Sequence, residues 1–253
     1  MTMPRRQATR PERRTEHWPP ETFLGLLGES SRAALLSLGM TREYPARALI
    51  LREGESSAHV LLLHGGWVKI VAGTPHGGQA MLAIRSRGEL VGEEAALDDK
   101  PRPVSVVSTG PVTAYVVTRT SFLRCLAEHP DVHLAVTRTL STRLREATRR
   151  RVDFTGQPGD VRLARVLCEL AEKNSRETAA GVELGYALTQ PDLAAMAGVS
   201  EPSVQRALGK LRNNGVLGTG RRRIVVRDLA ALHRAAGPDW HAPSAARQPE
   251  SVR

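Results

Sequence analysis

The pattern of hydrophobic and polar residues changes twice along the chain. From residue 48 to residue 117, short apolar runs alternate with glycines and polar turns. These runs are Leu49–Leu51, Val60–Leu63, Val68–Val71, Met81–Ile84, Val104–Val107 and Tyr115–Val117. Short strands at near-regular spacing are typical of a compact β sandwich or barrel. The pattern therefore predicts a β-rich first half, preceded by one or two short helices between Phe23 and Leu38.

After residue 121 the apolar positions follow a helical period. Pro130 and Asp131 mark the start of a helix that is predicted to run to about residue 151. Its apolar stripe consists of Val132, Val136, Leu140, Leu144 and Ala147, and its other faces carry arginines that include Arg143 and Arg150. A long helix with one narrow stripe often pairs with a copy of itself, so we expect a homodimer. The alternative is a helix that packs only on its own domain.

Residues 154–159 then form a hinge-like break, and the segment beyond it has the pattern of two short helices joined by a tight turn. Thr189 is placed to cap the first helix, with Asp192 as the acid of its first turn. Gly198 provides the turn, and Ser200 is placed to cap the second helix. This order of caps and turn predicts a helix-turn-helix.

In such a motif the second helix enters the major groove of DNA. The candidate DNA contacts are Thr189, Ser200, Glu201, Ser203, Gln205, Arg206 and Lys210. Arg206 is suited to guanine, Gln205 to adenine and Lys210 to phosphate. Two β segments around an arginine-rich tip follow, and we interpret them as a wing with Arg221, Arg222 and Arg223 at the phosphates. The alternative is a small helical bundle with a basic hairpin.

The composition favours a nucleic-acid partner. Lys and Arg number 36 against 26 acids, a net charge of +10, which attracts polyanions, although a solvated basic surface would give the same excess. The 2 cysteines, Cys125 and Cys168, are too far apart in sequence to suggest a disulfide framework or a metal site. No apolar run is long enough to span a membrane, so we expect a cytoplasmic protein without a membrane partner. The chain shows no catalytic spacing of nucleophile and base, and we do not expect an enzyme.

This layout resembles the catabolite activator / FNR family of bacterial regulators, from about Phe23 to Leu232. The shared residues are Glu53-Gly54-Glu55, Gly65-Gly66, the segment Arg87-Gly-Glu-Leu-Val-Gly-Glu93, then Leu97 and Arg102. The resemblance implies an α+β fold with an N-terminal cyclic-nucleotide-binding-like β-roll, a long dimerisation helix and a C-terminal winged helix-turn-helix. The divisions are the β-roll (20–129), the dimerisation helix (130–153) and the DNA-binding domain (154–235). The polar composition of the two ends predicts a disordered basic tail (1–19) and a second tail (236–253).

In that family a Gly-Glu pair, followed some ten residues later by an Arg, holds the phosphate and ribose of a cyclic nucleotide. The resemblance makes Gly92, Glu93 and Arg102 the candidate effector contacts, with Thr148 on the long helix. Cyclic AMP is therefore a candidate effector. However, Pro103 stands where cyclic-AMP-binding members carry a Ser or Thr, and Glu94 adds a second acid. We therefore expect a different small ligand, or none.

The recognition helix also departs from the catabolite-activator pattern. Glu201-Pro202 replaces the family's Arg-Glu, and only Arg206 matches a base-reading position. The N-terminus lacks the cysteine cluster of the oxygen-sensing branch, while haem ligation by His64 or His76 stays open. The resemblance implies a transcription regulator that binds double-stranded DNA as a homodimer and works with RNA polymerase. The alternative is a signalling or scaffold protein of the same fold that lacks specific DNA recognition.

Overall fold

The computed structural model describes residues 18–74, 77–173, 175–186, 188–220 and 223–240. Its first half contains α1 (Glu29–Ser37), β1 (Met40–Tyr44), β2 (Leu49–Leu51), β3 (Val60–Gly65), β4 (Trp67–Gly73), β5 (Gln79–Ser86), β6 (Leu90–Val91), α2 (Glu93–Asp98), β7 (Ser105–Ser108), β8 (Val112–Val117) and α3 (Arg119–Glu128). Its second half contains α4 (Pro130–Gly156), α5 (Gly159–Lys173), β9 (Ser175–Thr178), β10 (Gly181–Leu184), α6 (Gln190–Ala197), α7 (Glu201–Asn213), β11 (Leu217–Gly220), β12 (Arg223–Val226) and α8 (Leu229–Ala235).

The strands of the first half form two antiparallel sheets packed face to face. Their strand orders are β1-β8-β3-β6 and β2-β7-β4-β5. Leu61, Leu63, Val68, Val106 and Ala114 meet between the sheets, where alternate side chains of each strand point inward. The predicted β-rich domain is confirmed. The apolar runs did not reveal β1, whose residues are mostly exposed, or β6, which is only 2 residues long.

A second core lies where α1, α3 and the start of α4 cover one of these sheets. Phe23, Leu35 and Phe122 are fully buried there. Trp18 belongs to the same core, and the guanidinium of Arg87 lies 4.5 Å from the centre of its ring. The predicted basic tail of residues 1–19 therefore ends too late, because one tryptophan among arginines and prolines leaves no periodic signal. Residues 1–17 lie outside the described part of the chain.

The apolar stripe of the long helix α4 makes different contacts from those that we predicted. Val132 and Val136 are buried in the β-roll core and Leu140 packs against it, whereas Leu144 is exposed. Most of the predicted dimerisation stripe is thus an intradomain contact. The helix also continues through Phe154 and ends at Gly156, so the break is shorter than predicted. It falls at Gln157, which is extended because the following proline disfavours a helical conformation.

The second half is built around a third core. Leu163, Leu167, Leu193, Val204 and Leu217 are buried between helices α5 to α8 and a sheet with the order β11-β12-β10-β9. The hairpin of β9 and β10 was not predicted, because β9 reads Ser-Arg-Glu-Thr and is mostly exposed. Ala236 is buried and Trp240 packs against this core, so the predicted tail of residues 236–253 begins too early. Residues 241–253 lie outside the description.

The two halves touch each other directly. The rings of Trp67 on β4 and Tyr186 lie 4.5 Å apart, centre to centre, in an edge-to-face arrangement. Next to them, the ammonium of Lys69 lies 2.5 Å from the carboxylate of Asp192 on α6. The β-roll therefore contacts the helix-turn-helix through β4, in addition to the connection through α4.

Candidate DNA-binding and effector sites

The first helix of the motif begins with a complete capping box. The Thr189 hydroxyl accepts a hydrogen bond from the Asp192 amide at 3.3 Å, and the Asp192 carboxylate accepts one from the Thr189 amide at 2.9 Å. These bonds satisfy two amides that the first turn of a helix leaves without partners. The Thr189 hydroxyl is thereby engaged within the protein. At the other end, Gly198 adopts the left-handed conformation at φ 60°, as the predicted turn requires.

The second helix begins at the predicted position, but Ser200 does not cap it in the expected way. Ser200 occupies the N-cap position, and its hydroxyl makes no bond to a helix amide. Instead, that hydroxyl lies 2.9 Å from the Ser203 hydroxyl. The predicted side-chain cap is wrong, because the nearby Ser203 hydroxyl competes for the same group.

The outward face of α7 is polar, and hydrogen bonds to neighbouring side chains hold two of its residues. Val204 and Leu208 face the core, whereas Glu201, Gln205, Arg206 and Lys210 are exposed. The Gln205 amide donates to the side chain of Gln190 at 2.9 Å, and Arg206 donates to the Ser203 hydroxyl at 3.2 Å. Sequence reasoning missed Gln190, although its position directly after the cap places it beside α7.

The predicted wing is the hairpin of β11 and β12, which pair from Leu217 with Val226 to Gly220 with Arg223. Arg223 is not the free phosphate contact that we expected. Its guanidinium donates two hydrogen bonds to the Glu183 carboxylate, at 2.7 and 2.8 Å. These bonds lower the pKa of Glu183. Arg221 and Arg222 lie outside the described residues, and their phosphate contacts stay predictions.

A cavity of about 330 Å³ separates the β-roll from α4. Most of its lining is aliphatic, from Leu51, Ile70, Leu82, Ala83, Val91, Ala95, Val104, Val106, Leu140, Leu144 and Ala147. Three of the candidate effector residues, Gly92, Glu93 and Arg102, line it together. Thr148, which is exposed on α4, does not line it, whereas the neighbouring Ala147 does.

Arg102 is already bound to the main chain around it. Its guanidinium donates to the carbonyl oxygens of Gly92 and His59, both at 2.6 Å, and to the Ser57 hydroxyl at 3.3 Å. Gly92 has a φ of 85°, and a Cβ atom there would lie 2.6 Å from the Arg102 guanidinium. Burial lowers the pKa of Arg102. The arginine thus shapes the segment that it was predicted to use for a ligand.

Glu93 is paired with an arginine that the sequence did not single out. Arg143, on α4, forms ion pairs with Glu93 and with Glu89 and donates to the Leu90 carbonyl at 2.6 Å. Burial disfavours the charged form of Arg143, but the two carboxylates outweigh it and raise its pKa. The sequence pattern places Arg143 on an outer face of the helix. In the structure it fastens α4 to the β-roll.

About two turns beyond Arg143, α4 is also fastened to the DNA-binding domain. Arg150 donates to the Leu82 carbonyl on β5 and, at 2.7 Å, to Glu169 on α5. Lys173 joins Glu169 to Glu146 at 3.0 and 2.7 Å. Although burial acts in the opposite direction, these cations lower the pKa of Glu169 to about 2. The ion pairs connect the cavity wall to α5.

Other candidate chemistry finds less support among the described residues. His64 packs edge-on between the rings of Trp18 and Tyr115, at 5.8 and 5.5 Å, and does not line the effector cavity. His76 lies outside the description. Cys125 and Cys168 are free and buried. Within the described ranges, no His, Cys, Asp and Glu cluster is arranged to hold a metal ion, and no helix is long and apolar enough to cross a membrane.

Each half of the chain matches a known protein family. The cyclic nucleotide-binding domain matches residues 41–129, and the Crp-like helix-turn-helix domain matches residues 161–235. The chain is 27% identical over 209 residues to a CRP-like cAMP-activated global transcriptional regulator of Mycobacterium tuberculosis, covering 82% of this chain and 92% of that protein. It is 28% identical over 214 residues to the cyclic AMP receptor protein of Thermus thermophilus, covering 85% and 95%.

A solved structure agrees with the same assignment. The crystal structure of a CRP-family transcriptional regulator from Thermus thermophilus superposes with a TM-score of 0.67 at 25% identity, covering 81% of this chain and 100% of that one. The β-roll, the long helix and the winged helix-turn-helix thus occur here in the order found in these regulators. The chain belongs to the CRP/FNR family of transcription regulators.

Proposed function

We propose that this regulator binds a two-fold operator in double-stranded DNA as a homodimer and is gated by a small effector in the β-roll cavity. The observation that carries the DNA-reading role is the exposed face of α7, where Gln205 and Arg206 are held by Gln190 and Ser203. Prearranged amide and guanidinium groups suit the edges of adenine and guanine. Lys210 and the wing tip supply phosphate contacts. The proposal assigns the chain no enzymatic activity.

Dimerisation is supported by apolar side chains that α4 leaves uncovered. Leu134, Leu144 and Val152 are 49%, 68% and 62% exposed. At about 100° per residue, these positions lie on one side of the helix. A second copy of α4 would cover them. Thr148 lies on the same side, so its predicted effector contact would reach the cavity of the partner subunit.

The effector of this cavity is a small molecule. The two curated relatives carry names that refer to cyclic AMP. In this chain, Arg102 and Arg143 are engaged by protein oxygens, and Pro103 offers neither a hydroxyl nor an amide hydrogen. Cyclic AMP therefore remains one candidate among small ligands. As a transcription regulator the protein would act in the cytoplasm together with RNA polymerase.

Operator selection tests the proposed function. Purified full-length protein is incubated with a pool of random double-stranded DNA, and the retained sequences are measured by fluorescence anisotropy at two salt concentrations. We expect a two-fold site with half-sites about one helical turn apart and an affinity that falls steeply with salt. Binding without preference for any sequence would reject the operator and favour the scaffold alternative. Replacing Leu144 with Arg should weaken the dimer in sizing experiments.

A further inference from the structure

Arg85 stands apart from the other arginines of the effector cavity. It projects from β5, is only 8% exposed and lines two cavities. One is the effector cavity, and the other is an adjoining space of about 380 Å³ next to Phe23 and Lys173. Arg85 therefore lies in the wall between these two spaces.

The guanidinium of Arg85 has almost no partners of its own. Its hydrogen bond is to the carbonyl of the preceding residue, Ile84, at 3.1 Å. Within the described part of the chain, no carboxylate oxygen lies within salt-bridge distance of it. The acids that interact with it over a longer range are committed elsewhere, since Glu89 pairs with Arg143 and Glu146 pairs with Lys173.

A buried cation without a counter-ion is unfavourable, and proteins normally pair such a group or expose it to water. Burial lowers the pKa of Arg85, which reflects the same cost. A guanidinium carries several donors in a rigid fork that matches a carboxylate or phosphate. Because the described residues accept from only one donor of Arg85, the others are available to an anion in the cavity.

The other walls of the cavity favour a ligand whose main part is apolar. Leu51, Ile70, Leu82, Val106 and Leu140 form its walls. The Arg102 donors that would otherwise attract a phosphate are engaged, because Arg102 binds main-chain carbonyls. Pockets of this kind bind ligands through apolar walls and a few placed polar groups.

We propose that the effector cavity binds an apolar monocarboxylate, with its carboxylate on Arg85 and its hydrocarbon part against the aliphatic walls. This inference rests on the proposed effector-gated function and names the ligand class of that site. The anion is held on β5 instead of at Arg102, which marks this cavity as different from a cyclic-nucleotide site.

Calorimetric titration of the full-length protein without DNA tests the proposal. The probes are octanoate, the uncharged octanamide of the same length, and inorganic phosphate. We expect octanoate to bind at least about tenfold more tightly than octanamide, because only the acid can pair with the guanidinium. Phosphate alone should give no saturable heat, since it lacks the apolar part.

Variants then assign the preference to a residue. Arg85→Leu should remove the difference between octanoate and octanamide, Arg85→Lys should retain part of it, and Arg124→Leu, at an exposed arginine of α3, should leave it unchanged. Thermal unfolding checks that each variant is folded. The comparison of octanoate with octanamide on the wild-type protein needs no variant.

The outcomes separate this proposal from the proposed function. Equal binding of acid and amide, no binding of octanoate, or a preference that disappears in Arg102→Leu but persists in Arg85→Leu would each overturn the Arg85 site. Operator binding is measured separately and would stand in all of these cases. Loss of sequence preference on DNA, with octanoate binding intact, would instead reject the operator.

Discussion

Lys69 of β4 holds Asp192 of α6, with 2.5 Å between the ammonium and the carboxylate. The same carboxylate closes the capping box with Thr189. Burial raises the pKa of Asp192, but the hydrogen bonds from Lys69 and Thr189 outweigh it and lower the pKa overall. One acid therefore joins the first helix of the DNA-binding motif to the β-roll.

A double-mutant cycle on this pair should show a favourable coupling. We expect Lys69→Met and Asp192→Asn to be coupled by about 1–3 kcal/mol in the free energy of unfolding, because the charged hydrogen bond is mostly shielded from water. Asp192→Asn alone should cost more than Lys69→Met, since it also weakens the cap. Urea unfolding measures each variant, with Lys210→Met as the exposed-lysine control. Strict additivity would show that the two side chains do not interact.

The ion pairs of Glu169 should make stability depend on pH. The folded pKa of about 2 lies below the ordinary value of 4.5, so the charged form is favoured in the folded state. This contribution is fully present above pH 4.5 and disappears as the pH falls towards 2. Glu169→Gln should therefore cost about 3 kcal/mol at neutral pH and progressively less in acid. Urea unfolding between pH 7 and pH 3 measures it, and Glu177→Gln, at an exposed acid of β9, should show no such trend.

Two substitutions on α7 should affect DNA binding in different ways. Arg206→Ala should reduce the preference for the selected operator over a mismatched site by about 1–3 kcal/mol, because a base-reading contact is lost. Lys210→Ala should weaken both sites equally and reduce the salt dependence by about one counter-ion. Anisotropy titrations over a range of salt separate the two effects, with Arg124→Ala as the control. If both variants lose affinity uniformly, Arg206 does not read a base.

Gly92 should not tolerate a side chain. Its φ of 85° is strained for any residue with a Cβ atom, which would also meet the Arg102 guanidinium at 2.6 Å and the Leu51 side chain at 2.9 Å. Gly92→Ala should cost about 1–3 kcal/mol of stability. Gly110→Ala is the matched control, because a Cβ there meets nothing within 4 Å. Thermal unfolding compares the two, and equal midpoints would contradict the expected strain.

Local patterns were enough to predict much of this fold. The strands from β2 to β8 that carry runs of valine, leucine and isoleucine were visible, because burial between two sheets demands such runs. The helix-turn-helix was visible as well, since Thr189, Asp192 and Gly198 occupy positions that capping and a left-handed turn require. These signals depend on residues only a few positions apart.

The candidate site was less predictable, because its decisive contacts join distant parts of the chain. Arg143 reads as a solvent-facing arginine on a basic helix, and only the packing of α4 on the β-roll brings it to Glu93, 50 positions earlier in sequence. Arg85 directly follows an apolar run, and the absence of a carboxylate partner for it among the described residues depends on where the nearby acids point. Arg223 likewise pairs with Glu183 on a strand that carried no apolar pattern.

The position of Arg143 couples the binding of a ligand in the cavity to the association of two subunits. This side chain holds α4 to Glu93 and Glu89 from the cavity side, while the exposed Leu134 and Val152 lie on the opposite side of the helix. A ligand that competes for Glu93 therefore acts on the helix through which two subunits would meet. Thermodynamic linkage is reciprocal, so the factor by which such a ligand alters dimer affinity is the factor by which the dimer alters the ligand's affinity. The dissociation constant measured for an effector would then vary with protein concentration.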